Sequence, residues 1–151
     1  MSNKFILNIS PFTHVRATQN DRVFFRIPRE HLRPAGLKRL MRLERYNENK
    51  LCLSAEAKRI RFTMPEQGAA ITFFIPVPKT WRKWKKEQMH MQLHQSTPDI
   101  DNLLKAVFDS LLAEDKHIGN ISLTKLWVNQ EVGWIEITTS NPKYSSPSCL
   151  I

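Results

Sequence analysis

Ile100, Leu103, Leu104, Val107, Phe108, Leu111 and Leu112 recur at three- and four-residue spacing. That pattern predicts a helix over 99–113 with a single apolar stripe. AAITFFIPVP, residues 69–78, is instead a dense run of apolar residues closed by prolines, which reads as a strand. Shorter strands are expected at Phe5–Ile9 and at Arg22–Pro28 (RVFFRIP), the second stopped by its proline. Ile121–Val128 (ISLTKLWV) and Gly133–Thr139 (GWIEITT) read as two strands paired around a turn at Asn129–Val132. Between these runs, Leu37, Leu40, Met41 and Leu43 sit near helical spacing after Pro34, a good first helical residue. Asn47 and Asn49 predict a break there, before a second short element. A further helix is expected after a Thr80 cap, with Trp81, Trp84 and Gln88 along one side. Strands and helices alternate unevenly, so the expected fold class is α+β: a small mixed β-sheet with helices packed on it. A single domain is expected over 1–139, with the Ser- and Pro-rich 140–151 as a flexible tail.

The length of 151 residues is enough for one real core. Charge changes the picture more. A net charge of +9 and a pI near 9.9 favour a polyanionic partner, of which nucleic acid is the commonest. Cys52 and Cys149 form no paired motif, and the five histidines show no metal-ligand spacing, which argues against a disulfide scaffold or a zinc site. The N-terminal MSNKFILNIS lacks the long apolar region of a signal peptide. No apolar run approaches the roughly 20 residues of a membrane span. A cytoplasmic protein in a reducing compartment is therefore expected.

The basic residues cluster. Lys38, Arg39, Arg42 and Arg45 surround the apolar positions of the 34–61 segment, either as phosphate contacts or as a solvated helix face. Lys79, Arg82, Lys83, Lys85 and Lys86 are five basics in eight residues, interleaved with Trp81 and Trp84. Here the tryptophans are assigned to packing and the basic side chains to DNA.

Against that background, five of the fourteen carboxylates fall between Asp99 and Asp115. Helix chemistry can account for them: Asp is a preferred N-cap, worth about 1 kcal/mol, and acids gain from the first-turn dipole. Asp101, Lys105 and Asp109 could also form a ladder of i, i+4 pairs. Yet a cationic nucleic-acid binder gains nothing from acids facing phosphate unless a cation lies between them. Mg²⁺ or Mn²⁺ fills that role with hard oxygen ligands. Asp99, placed just before the helix after Pro98, can lean with Asp101 toward one point, and Lys105 can neutralise charge developing on a phosphate.

PDIDNLLKAVFDSL followed by EDKHI resembles the RusA-type Holliday junction resolvases, the crossover junction endodeoxyribonucleases. The resemblance is specific over Pro98–Ile118 and looser from Ala69 to about Thr139, and VPKTWRKWKKEQM, residues 77–89, is similar to the linker helix of phage-type members. It implies a RusA-like fold, metal-binding carboxylates at Asp99, Asp101 and Asp115 with Glu114 beside them, and a catalytic lysine at Lys105. It implies Mg²⁺ (or Mn²⁺) as cofactor and a homodimer that nicks a four-way DNA junction symmetrically, leaving 5′-phosphate and 3′-hydroxyl ends, in recombination and repair. It also suggests a bacterial or prophage-encoded protein. The family's usual basic residue before the Pro-Asp pair is Thr97 here, so one phosphate contact is either missing or supplied by His94, which reads equally as a partly buried hydrogen-bonding histidine. Asp99 and Asp115 lie at opposite ends of a helix about 18 Å long. Either the chain doubles back after Ala113, or a site is shared between subunits, and the second is expected. The alternatives are a non-catalytic basic nucleic-acid-binding protein whose aspartates merely cap a helix, and a nuclease for other branched or duplex DNA.

Overall fold

A computed structural model describes residues 2–140; Cys149 and the rest of the expected tail lie outside the described residues. The elements are β1 (Ser2–Leu7), α1 (Asp21–Phe24), a 3₁₀ turn (Arg29–His31), α2 (Pro34–Arg59), β2 (Ala69–Pro76), α3 (Lys83–Met89), α4 (Ile100–Leu111), β3 (Ile121–Val128) and β4 (Trp134–Ser140). The four strands form one mixed sheet in the order β1-β4-β2-β3, so the chain is an α+β fold as its pattern predicts. No helix among the described residues is long and apolar enough to cross a membrane.

The core explains the α4 stripe. Leu103 and Val107 are fully buried against Leu53 and Ala57 of α2, and against Ile71, Phe73, Ile135 and Ile137 of the sheet. Ile100, Leu104, Phe108, Leu111 and Leu112 pack around that centre. All seven predicted stripe positions therefore face the core. Strand alternation puts Ala69, Ile71 and Phe73 of β2 on the same side. Ala106 of α4 joins a second cluster with Val15, Leu43 and Tyr46, which ties α4 to α2.

Five expectations are corrected, four of them local. Arg22–Pro28 is no strand; it begins as the short helix α1. Local polar bonds decide this, because the buried Asp21 carboxylate accepts from the Thr18 backbone N–H and hydroxyl and from the Arg39 guanidinium. The α2 helix runs unbroken through Asn47 and Asn49. Their weak helix propensity costs only tenths of a kcal/mol each, while Leu43, Tyr46, Leu53 and Ala57 keep one buried face across the same stretch. The third helix starts at Lys83 with Arg82 at the cap position, not after Thr80. The first strand, expected at Phe5–Ile9, lies at Ser2–Leu7.

The most consequential correction concerns the last two strands. β3 and β4 are not a hairpin: β2 lies between them, parallel to β3 and antiparallel to β4. Residues 129–133 cross the end of β2, where the Val77 N–H donates to the Val128 carbonyl at 3.0 Å. Gly133 makes this crossing possible. A Cβ there would lie 2.1 Å from the Phe74 carbonyl oxygen and 2.9 Å from Pro76 Cδ, so any side chain is excluded by the backbone of β2. Trp134 then stacks on Phe74 with centroids 4.5 Å apart.

Candidate functional site

A cleft of about 600 Å³ opens between residues 93–97, the start of α4 and Leu123–Lys125 of β3. Its acids are Asp99 and Asp101, both exposed. Asp99 occupies the N-cap position of α4 with extended backbone angles (φ −68°, ψ 141°), and its carbonyl accepts from Leu103 N–H at 3.2 Å. Its carboxylate makes no capping bond. Helix capping thus does not account for this side chain. The Thr97–Pro98 peptide before it is cis.

Asp101 does take part in a helix pair. Lys105 Nζ lies 3.2 Å from its Oδ2, with both side chains more than half exposed. The ammonium's hydrogen bond holds the Asp101 carboxyl below its usual range, so it is ionised at neutral pH. The Lys105 ammonium, carried one helical turn further along α4, is thereby held against the cleft acid Asp101. The ladder stops there. Asp109 instead accepts from the Tyr46 hydroxyl at 2.8 Å and lies 3.2 Å from His14 Nε2, forming a polar tie between α4 and α2.

The other wall of the cleft is built by an edge contact. Residues 91–94 run along the outer edge of β3: Met91 N–H donates to Trp127 O, Trp127 N–H to Gln92 O and His94 N–H to Lys125 O. His94 is 3% exposed, with its ring 3.7 Å from that of Trp127. Its Nδ1 accepts from the Ser96 backbone N–H. Burial, followed by the charge of Lys125, lowers its affinity for a proton. Buried and tilted against Trp127, the His94 ring packs into the wall of the cleft as a hydrogen-bonding histidine. Lys125 itself donates to the Ser96 and Pro98 carbonyls at 2.7 and 2.6 Å. It was not singled out by sequence, although a lone lysine on the inward register of ISLTKLWV, between Leu123 and Trp127, was a usable signal.

Glu114 and Asp115 are exposed in the 112–120 connection, and Glu114 pairs with Lys116 at 2.7 Å. The chain does double back after α4, since β3 returns Leu123–Lys125 to the start of the helix. That return does not make Asp115 part of the cleft lining. Among the described residues no three His, Cys, Asp or Glu side chains gather as a metal-ligand group. Asp99 and Asp101 nevertheless suit a hard cation. Mg²⁺ commonly takes one or two protein carboxylates and completes its shell with water and substrate phosphate oxygens.

The expected DNA-contacting basics lie on and just before α3. Lys79 and Lys86 line a groove with Asn129 and Glu131. Trp81 packs on Trp127 at 4.9 Å with the Lys85 ammonium 4.2 Å above its ring. Arg82 and Lys83 are exposed. Trp84, assigned to packing from the sequence, is 61% exposed and does not serve the core.

Comparison with known proteins adds one finding. The family model described as Endodeoxyribonuclease RusA matches residues 38–138, which reaches into α2, well before the Pro98–Ile118 motif. No curated protein matches the chain.

Proposed function

The chain belongs to the RusA endodeoxyribonuclease family, and from that premise we propose that it resolves four-way DNA junctions by metal-dependent phosphodiester hydrolysis. Family membership supports nuclease activity in general. Support for the metal-dependent reading comes chiefly from one observation: Asp99 stands at a helix cap yet makes no capping bond, and opens with Asp101 onto a cleft. In a protein of net charge +9, an uncapped acid pair in a cleft repels a phosphodiester unless a cation is shared with it.

Asp99 and Asp101 would hold the ion. A bound Mg²⁺ or Mn²⁺ would supply Lewis acidity and offset the charge of the acids and the phosphate. Lys105, hydrogen-bonded to Asp101, holds that carboxylate ionised and keeps an ammonium beside the reacting phosphate oxygens. Lys79, Arg82, Lys83, Lys85 and Lys86 bind the backbone of a DNA arm, so affinity falls steeply with salt. The products carry 5′-phosphate and 3′-hydroxyl ends.

The protein acts as a homodimer, whose two-fold axis matches that of a four-way junction. Asp115, with Glu114 beside it, completes the acid set of the partner's cleft. A mixed dimer of Asp99→Asn and Asp115→Asn subunits tests this sharing: one intact site and single nicks are expected, and loss of all nicking rejects it. The activity itself is tested by incubating a synthetic four-way junction and a linear duplex of the same sequence with Mg²⁺. Paired nicks in the junction alone are expected. Equal cutting of both substrates would point to a less specific nuclease, and no cutting of either to a binding protein.

A further inference from the structure

Lys125 grips one short segment at both ends of its own structure. Its backbone carbonyl accepts from His94 N–H at 3.0 Å. Its ammonium donates to the carbonyls of Ser96 and Pro98 at 2.7 and 2.6 Å. The residue that follows Pro98 is Asp99. No capping bond of its own fixes the Asp99 side chain, and Gln95, Ser96 and Thr97 are exposed. The position of Asp99 is therefore set from two sides, by α4 through the Leu103 N–H bond to its carbonyl and by the strand that holds the segment before it. Lys125 sits opposite the fully buried Phe73 in the β2–β3 register, so its stem leaves β3 beside the core of the sheet.

We infer that Lys125 is a positioning residue: by pinning the 96–98 carbonyls it places Asp99 beside Asp101 and sets the affinity of the pair for a divalent cation. The inference rests on the reading that these two aspartates hold such an ion. Two effects of the ammonium oppose each other, and their signs differ. As a charge, it repels an incoming cation, so removing it should tighten metal binding. As a clamp, it orders a ligand, so removing it should weaken metal binding, by about 10- to 100-fold for partners that orient metal ligands. Two short bonds to carbonyls that precede Asp99 make the clamp the larger effect. An ammonium has three N–H groups, and the two spent on carbonyls are what the clamp requires.

The test compares wild type, Lys125→Met and Lys125→Arg as full chains prepared free of metal. Mn²⁺ binding is measured by calorimetry, hydrogen exchange is followed at the amides of 95–99, and junction binding is measured in chelator. Lys125→Met is expected to bind Mn²⁺ about tenfold more weakly and to lose protection at 95–99, with junction affinity within about twofold of wild type. Lys125→Arg, which keeps charge and donors, is expected to recover most of the Mn²⁺ affinity. Should Lys125→Met fail to fold, Lys125→Gln carries the same comparison. Mn²⁺ binding that is unchanged or tighter in the uncharged variant overturns the assignment of Lys125 alone. A wild type that binds no Mn²⁺ and cuts no junction overturns both this assignment and the metal-dependent nuclease.

Discussion

The two ends of α4 use the same side chain in opposite ways. At the N-terminal end, Asp99 and Asp101 are exposed, and only Asp101 has a partner, the flexible Lys105. Two turns on, Asp109 is committed to Tyr46 and His14. The buried Asp21, locked by Thr18 just before α1 and by Arg39 on α2, is the extreme of the second kind. Asp21 has both oxygens taken and Asp109 gives its Oδ2 to two partners, so these acids serve chiefly to tie elements of the fold together. An acid left open at a cleft costs the fold little and remains available for chemistry.

The contrast can be broken most directly at Asp101. Asp101→Asn is expected to reduce junction cleavage by about 10³-fold or more. Junction binding should persist or strengthen, because a charge that repels phosphate is gone; gel-shift and cleavage assays on one preparation check both. Asp109→Asn on the same helix should leave cleavage within a few-fold of wild type. It should instead lower stability by about 1 kcal/mol, as should Tyr46→Phe, read from denaturant unfolding. If Asp109→Asn abolished cleavage at unchanged stability, the division between the two ends of α4 would fail.

The smallest effects are pH dependences. Arg39 and Thr18 hold the Asp21 carboxyl well below its ordinary value of 3.8. A depressed folded-state value gives stability that is full above the unfolded value and is lost as pH falls below it. Asp21→Asn should therefore lower the thermal midpoint at pH 7 and lose that difference progressively below about pH 5. Tyr46 runs the other way. Burial and the bond to Asp109 push its hydroxyl above the ordinary 10.0, so its contribution is present below pH 10 and fades as pH rises further. Tyr46→Phe should flatten that alkaline loss in thermal melts.

Much of the candidate site was legible along the chain. PDIDN carried the acid pair because the two aspartates and the helix they open are neighbours in sequence. Lys105 followed from the i, i+4 rule. The role of Lys125 was not legible, because it depends on which strand lies beside the 96–98 segment, 27 residues away. Trp84 was misassigned for a similar reason: helical spacing relates it to Trp81, but only the position of β3 decides that Trp81 meets Trp127 while Trp84 faces solvent. The short helix at Asp21 was missed because RVFFRIP has the composition of a strand, and Arg39, which overrides it, lies 18 residues on.

By itself the sequence determined the α+β class, the α4 stripe, the strand at Ala69 and the acid motif with its family. Each depends on spacing within a few residues, where helix and strand periodicity act directly. Tertiary structure alone decided that β2 separates β3 from β4, that α2 runs through its asparagines, and that Lys125 reaches the segment before Asp99. Those outcomes depend on non-local contacts, such as the Gly133 backbone passing against Phe74. The free energy of such contacts is realised only once distant parts of the chain have been brought together.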